Sequence, residues 1–390
     1  AITFSQAGEP RTVTRNFPLT LYERHAMRWD NKARLGAFVT HTDTMVADLS
    51  RQVVQQYADA YPNLPQTLVY ARGIYDAFGV LGLKYIVDPL SPFQDFSTSP
   101  AEVTYLQYPR ETFMKKSGDS DDLSVLFAAC LENIGIDAAF VDVPGHMFLL
   151  FNTGVAEADK ITLGFPNELI VLYQGTVWIP VETTMVGTSF TRAWQKGAEN
   201  YRDWAVRNKV KIINVQKSWD EFKPVTLPKS GGTVKVKRDE IEAAFKGELE
   251  ALASRRLAYL SAAYRDALKR APDDLTTLGQ LGILYGENGL FAEALEQFQK
   301  LLALDKTNAL ALNNIGNISY LQGRLDDARQ AYMAALTSSP GEPGVMVNLA
   351  RVALQAGKKE EAKKLFLNAA EIDPRVIRKY VDLATSLGVK

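Results

Sequence analysis

Apolar and polar positions change period several times along the chain, and each period predicts a different element. In DDLSVLFAACLENIG, residues 121–135, Leu123, Leu126, Phe127, Cys130, Leu131 and Ile134 recur at i, i+3, i+4, i+7 spacing. That is the apolar stripe of a core helix. Ser117-Gly118-Asp119 supplies the turn and cap before it, and Gly135 closes it. The period then drops to two. IDAAFVDVP and GHMFLLFN read as strands, with His146, Phe148 and Leu150 alternating against Met147, Leu149 and Phe151. TVWIPVETT is a further strand with Trp178, Pro180 and Glu182 on one side. Upstream, SRQVVQQYADAYP and QTLVYARGIYDAFGVLG predict two amphipathic helices, the first broken at Tyr61-Pro62. Period-two patterning in AITF, RTVTRNFPLTLY and GAFVTHTD predicts a small β-rich extension over residues 1–50. RNKVKIINVQKSWDEFKP, from Arg207, predicts a strand and loop edge.

The last third repeats itself. GQLGILYGENGLFAEALEQFQKLLALDKT, NNIGNISYLQGRLDDARQAYMAALTSSPG and VNLARVALQAGKKEEAKKLFLNAAEIDPR align at a spacing of 34 residues. Gly289, Gly323 and Gly357 match, as do Ala294, Ala328 and Ala362, then Phe298, Tyr332 and Phe366. A small residue lets two antiparallel helices approach, an aromatic fills the space beside it, and the glycine makes the turn. This pattern resembles the tetratricopeptide repeat. Pro272, Tyr264 and Ala267 keep phase one unit upstream, so a degenerate repeat is expected before the three full ones, with DLATSLGVK as a capping helix. Such arrays present a concave groove, and a protein partner in that groove is expected; the plainer alternative is a scaffold or dimerisation element. LPKSGGTVKVKRDE, residues 227–240, reads as loop, and IEAAFKGELEALASRRLAYLSAAYRDALKRA as one long helix or two. The expected domains are therefore 1–50, 51–228, a linker at 229–239, and a helical repeat domain over 240–390.

Composition narrows the function without naming it. In 390 residues the net charge is -1, so no bulk field points to nucleic acid or to an anionic membrane. No run of eighteen apolar residues predicts a transmembrane helix. A single cysteine, Cys130, excludes an internal disulfide framework and any multi-Cys metal site; His25, His41 and His146 are too scattered for a zinc site. No cofactor is expected. The chain begins at Ala1, which fits a processed bacterial periplasmic protein or a trimmed chain.

The chemistry concentrates in KKSGDSDDLSVLFAACLENIGIDAAFVDVPGHMFLLF, residues 115–151. Residue 120 opens a buried helix, where unpaired backbone N–H groups and the positive dipole end can lower a thiol's pKa and stabilise an oxyanion. Cys130 lies ten residues deeper on the apolar face and reads as a small buried hydrophobe. If the strands carrying His146 and Glu182 pair, Glu182 can hold one imidazole nitrogen while the other faces residue 120, which is the order nucleophile, base, orienting acid. Asp119, Asp121 and Asp122 read as dipole-favoured cap residues rather than metal ligands.

YPRETFMKKSGDSDDLSVLFAACLENIGIDAAFVDVPGHMFLLFNTG followed by WIPVETT resembles bacterial transglutaminase-like domains, which share a papain-like core. The resemblance spans residues 52–184, and KYIVDP and SPFQDFS at 84–97 resemble the extended run before the motif. It implies an α+β domain with a central helix on an antiparallel sheet, placed before the all-α solenoid. It also implies a Cys-His-acid triad, with Ser120 at the nucleophile position, His146 as base and Glu182 as acid. Tyr108 is a candidate for lining the oxyanion position, and Asp119, Asp121 and Trp178 for lining the site; no metal is implied. Ser120 departs from the family's Cys. A Ser hydroxyl titrates far above a thiol, and a site built around a thiolate–imidazolium pair becomes nearly inactive with it. Either a Cys has been replaced by Ser, which the intact surround favours, or the domain is a catalytically dead pseudoenzyme that binds peptides. The implied activity is a cysteine protease or amidase on protein or peptide substrates, with transglutamination if an amine replaces water.

Overall fold

Strand pairing follows from the alternation in the sequence. The computed structural model describes residues 2–6, 9–14, 21–58, 60–87, 103–229 and 232–389. Strands β1 (Ile2–Gln6) and β2 (Glu9–Val13) pair antiparallel. β3 (Ala26–Arg28) pairs antiparallel with β5 (Val103–Tyr105), and β4 (Lys84–Tyr85) runs parallel to β6 (Ser117–Gly118). The main sheet contains β7 (Ala138–Val143), β8 (His146–Ala156), β9 (Val171–Tyr173), β10 (Thr176–Val181) and β11 (Lys211–Asn214) in the order β11-β7-β8-β10-β9. All its pairings are antiparallel. Pro144-Gly145 joins β7 to β8, with Gly145 at φ 71°, a conformation that costs a side-chain-bearing residue. This tight turn sets His146 at the first position of β8, opposite Val143.

The central helix, Ser120–Asn133, is buried on all sides from Ser120 to Glu132. Phe127 meets Tyr75 and Phe78 of the helix Gln66–Val80 edge-on, each at 5.8 Å between ring centroids. The helix Phe190–Ala205 lies against β10, and a Cβ at Gly197 would come within 2.8 Å of the Pro180 backbone. Ala139, Val141, Val143, Phe148, Leu150, Val171 and Trp178 form one apolar cluster of the sheet. The first unit, 1–60, 66–157 and 167–248, is thus an α+β domain with a central helix and an antiparallel sheet.

Several local expectations change. GAFVTHTD forms no strand; Leu35–Phe38 is a short helix because Leu35, Gly36 and Phe38 are all buried and leave no outward polar alternation. QKSWDEF is not a loop edge but the helix Val215–Glu221, capped by the Asn214 side chain on the Lys217 N–H at 2.9 Å. The RTVTRNFPLTLY strand is borne by β2 only as far as Val13; residues 15–20 lie outside the described residues, as does most of the expected extended run at 84–97.

The expected linker at 229–239 is, where described, docked along the helix Thr44–Tyr57. Val234 and Val236 are buried, and the Gln52 and Gln56 side chains donate to their carbonyls at 2.7 and 3.0 Å. The helix Arg238–Ala244 follows, and Glu242 and Glu248 reach the buried Arg72 guanidinium at 2.7 and 3.2 Å. The division between units therefore falls at 248/249, nine residues beyond the expected end of the linker at 239. In the described part of this stretch, Gln52 and Gln56 hold the backbone at Val234 and Val236.

The second unit, 61–65, 158–166 and 249–390, is helical over its long C-terminal segment. The helix Glu248–Arg270 stands where a degenerate repeat was expected and supplies one helix of it. Three helix pairs follow: Leu275–Glu287 with Phe291–Leu304, Ala309–Leu321 with Leu325–Ser338, and Pro343–Gln355 with Lys359–Ile372. Gly289, Gly323 and Gly357 turn each pair at φ 74°, 75° and 77°. The close contacts lie elsewhere in the repeat: Cβ atoms at Gly282 and Gly316 would strike the Phe298 and Tyr332 rings at 2.6 and 2.5 Å. Arg375–Lys379 and Val381–Leu387 close the array. Arg256 ties the unit's short segments to it, donating to the carbonyls of Asn63, Thr162 and Leu163 at 2.8–3.0 Å. Among the described residues no helix is long and apolar enough to cross a membrane.

Candidate functional site

Residue 120 owes its position to a packed turn. A Cβ at Gly118 would meet the Asp122 Cβ at 2.6 Å, so only glycine lets the chain enter the helix this closely. Asp119 is the N-cap. Its carboxylate accepts from the Asp122 N–H at 3.1 Å, and the Asp122 carboxylate accepts from the Asp119 N–H at 3.3 Å. Asp122 also accepts from the Gln107 backbone N–H at 2.7 Å and from its side-chain amide at 2.5 Å. Asp119 and Asp122 thus serve as cap residues.

Ser120 itself is 5% exposed. The Ser124 hydroxyl donates to the Ser120 carbonyl at 2.6 Å and pairs with the Thr183 hydroxyl at 2.8 Å. Those bonds join the start of the helix to the turn that follows β10. One residue before Thr183 stands Glu182, 2% exposed, and its Oε2 lies 2.7 Å from His146 Nε2. The pairing of β8 with β10 makes this contact, with Leu149 opposite Val181. Nε2 is thereby occupied and Nδ1 is the ring nitrogen left for a second partner. The imidazole is partly exposed, and its ring stacks on Phe148 with centroids 5.9 Å apart and planes at 29°.

Glu182 is held from three more directions. Asn200 of the helix Phe190–Ala205 donates to Oε2 at 2.7 Å, and the Thr184 hydroxyl and N–H donate to Oε1 at 2.6 and 3.2 Å. Burial alone would raise its pKa. The hydrogen bond and charge of His146, with the Thr184 bonds, outweigh burial and hold the carboxyl below its ordinary value. A buried carboxylate kept ionised beside imidazole fixes the ring's tautomer and orientation. Asp121 behaves oppositely. Burial, then the charge of Asp119, pushes its carboxyl well above the usual range, and Asp122 is pushed up to about 7, first by burial and then by Asp119.

Ser120, His146, Glu182, Asp119 and Asp121 are thus gathered at the helix start and the ends of β8 and β10. Two sequence candidates are not. Tyr108 is 1% exposed; its hydroxyl donates to the Arg24 carbonyl at 2.8 Å, and its ring lies 5.1 Å from Phe38. It is a buried packing residue before the helix Pro109–Lys115. Trp178 is 1% exposed in the apolar cluster of the sheet, with its indole N–H on the Tyr173 carbonyl at 3.0 Å and the Thr176 hydroxyl at 2.8 Å. Its ring is spent on packing. Cys130 is buried, with its thiol pKa pushed up to about 12 by desolvation. The sequence reading missed Asn200, Ser124, Thr183 and Thr184. Ser124 left a trace, a polar residue within an otherwise apolar stretch; Asn200 left none, because only the packing of Gly197 on Pro180 brings it to Glu182.

Comparison with known proteins bears on the second unit. A tetratricopeptide-repeat family model matches residues 280–343 and another matches 319–387, so the C-terminal region carries tetratricopeptide repeats. The chain is similar to the type IV pilus assembly protein PilF of Pseudomonas aeruginosa, 32% identical over 124 residues, or 30% of this chain and 49% of that protein. It is also similar to the photosystem I assembly protein Ycf3 of Prochlorococcus marinus, 31% identical over 110 residues, or 25% of this chain and 63% of that protein. The chain therefore spans about half of the first relative's length and less than two thirds of the second's. The solved structure of Pseudomonas aeruginosa PilF aligns at 29% identity and a TM-score of 0.31, covering 38% of this chain and 70% of that one.

Proposed function

We propose that the first unit is a transglutaminase-like, papain-type acyl-transfer domain with Ser120 at the nucleophile position, and that the repeats bring it a protein partner or substrate. The observation that carries this reading is the 2.7 Å contact between His146 Nε2 and the buried Glu182 carboxylate, one residue from a turn bonded to the start of the helix that opens at Ser120. With a thiol at residue 120, His146 Nδ1 takes the S–H proton. The sulfur then adds to an amide carbonyl carbon. Backbone N–H groups of the first helical turn are the donors available for the oxyanion, and their low-dielectric setting strengthens them. The C–N bond breaks, and the departing nitrogen takes the proton from His146. Water then displaces the sulfur in a hydrolase, or an amine does so in a transglutaminase. Hydrolysis is the reading we adopt.

A second reading, a binding domain without catalysis, is favoured by residue 120 itself. It is Ser, and among the described residues its hydroxyl makes no hydrogen bond to His146. The Ser120→Cys variant separates the two. Labelled with iodoacetamide from pH 4 to 9, with the parent as control for Cys130, it is expected to react well below pH 8 and to lose that reactivity with His146→Ala. Reaction no faster than an ordinary thiol, or insensitive to His146, sinks the catalytic reading and leaves the binding one. The repeats are tested separately: if partner capture survives deletion of 249–390, they are not the recruiting element.

A further inference from the structure

The stretch RNKVKIINVQK, from Arg207, has no part in the acyl-transfer reading. It forms β11, an edge of the main sheet, which pairs with β7 on one side only. An antiparallel strand turns the N–H and C=O of every second residue away from its partner. Among the described residues, no bond besides the ladder to β7 reaches the backbone of residues 211–213. Two adjoining clefts lie along this edge. One, of about 800 Å³, is lined by all four residues of β11, by residues 29–33 and by Lys217. Tyr173 of β9, the opposite edge of the sheet, lines it too, so the sheet curls until both of its edges border one cleft. The other, of about 260 Å³, shares Lys32 and Lys211 with the first and reaches Val143, Pro144 and Lys209. The groove therefore ends at the turn that sets His146. Its charge is one-sided. Lys32 pairs with Asp142, and Asp30 with Arg28 and Arg34. Lys209, Lys211 and Lys217 are exposed, and none has an ion pair among the described residues.

We infer that β11 is a docking edge for an acidic, extended segment of a partner protein, which adds a sixth strand to the five-stranded sheet. The segment's backbone pairs with the outward groups of β11, and the three lysines meet its carboxylates. Ile212 and Ile213, half-buried and turned to opposite faces, take its apolar side chains. A nucleic acid offers the charge but has no strand backbone to pair. A second copy of this chain offers the backbone with the wrong charge. Edge-to-edge pairing would bring another Lys209, Lys211 and Lys217 onto the same seam, and lysines on an edge keep like edges apart. The same charges draw an acidic strand in. The inference stands whatever chemistry residue 120 performs.

The test uses the full chain and fluorescein-labelled peptides. The probe is a short alternating Glu-Val peptide. Its controls are the Lys-Val analogue and the Glu-Val peptide N-methylated at every residue, which keeps its charge but has no N–H to donate. Fluorescence anisotropy is expected to show binding of the Glu-Val probe and of neither control. Hydrogen exchange read by mass spectrometry is expected to slow in residues 209–216 when the probe binds. Lys209→Glu, Lys211→Glu and Lys217→Glu together should weaken the Glu-Val probe at least about tenfold and admit the Lys-Val analogue instead. All three side chains are exposed, so this variant keeps its core, and circular dichroism verifies that. Equal binding of the N-methylated peptide overturns strand pairing, and equal binding of the Lys-Val analogue overturns the charge argument. Protection confined to the repeats, 249–390, overturns the site by placing the peptide elsewhere. No binding of the Glu-Val probe overturns the docking edge and leaves the lysines as guards against strand addition. Protection of 209–216 that grows with protein concentration in the absence of peptide overturns it in favour of a second copy.

Discussion

At the scale of single residues, Glu182 decides most. It is the acid expected on β10, but its environment could not be read from WIPVETT. Asn200 and Thr184 saturate its oxygens and leave it one role, accepting from His146. Glu182→Gln in the Ser120→Cys background is therefore expected to cut iodoacetamide labelling at pH 6 at least about tenfold, since imidazolium loses its charged partner. The same variant carries a pH signature. The folded carboxyl titrates below its ordinary 4.5, so its stabilising contribution is present above that value and is lost as pH falls through the lowered one. The melting temperature of Glu182→Gln should lie below the parent's near pH 7, and the gap should close as pH falls through the lowered value. A gap independent of pH would mean that Glu182 acts by packing alone. Tyr108 and Trp178 teach the reverse lesson. Aromatics beside a motif were legible as residues, yet whether they face a site or a core depends on neighbours far along the chain, Arg24 and Phe38 for one and Tyr173 for the other.

At the scale of elements, glycines set the approach of one element to another. Gly197 brings the helix Phe190–Ala205 onto the Pro180 backbone, with no flexible side chain to give way. Gly197→Val is expected to destabilise the first unit by about 1–3 kcal/mol and to weaken the Asn200–Glu182 contact, so urea denaturation and His146-dependent labelling should suffer together. Loss of stability without loss of labelling would separate the helix from the site. In the repeats, the 34-residue register was plain, and the turn glycines and aromatics were found from it. Gly282 and Gly316, which lie under the Phe298 and Tyr332 rings, were in the same register, with Ala350 one period on. They were legible too, but only a three-dimensional contact says which small residue the ring meets.

At the scale of the whole molecule, the buried Arg72 determines where the first unit ends. Its guanidinium is fully buried and contacts Asp76 at 2.5 Å, Glu242 at 2.7 Å and Glu248 at 3.2 Å. Burial pushes the Asp76 carboxyl up, against the charge of Arg72, whereas Glu248 is held below its ordinary value: burial would raise it, but bonds from Asp76 and Thr191 prevail. Two of the three carboxylates around Arg72 thus come from 242 and 248. A first-unit fragment ending at residue 236 is expected to be less stable in urea than one ending at 248 by about 3 kcal/mol, the usual penalty for an uncompensated buried charge. Equal stability would return the boundary to the expected linker at 229–239.

The sequence by itself determined the periods: a core helix from 120, strands with His146 and Glu182 on one side, and three helix pairs 34 residues apart. These are local consequences of burying one face of a helix or strand, so they show in the spacing of neighbours. Tertiary structure alone decided that Glu182 meets His146, that Asn200 fixes it, that Tyr108 is buried against Arg24, and that 232–248 belongs to the first unit. Each of those depends on residues from 18 to 182 positions apart arriving at one place, and spacing along a chain records nothing of such an encounter until the chain has folded.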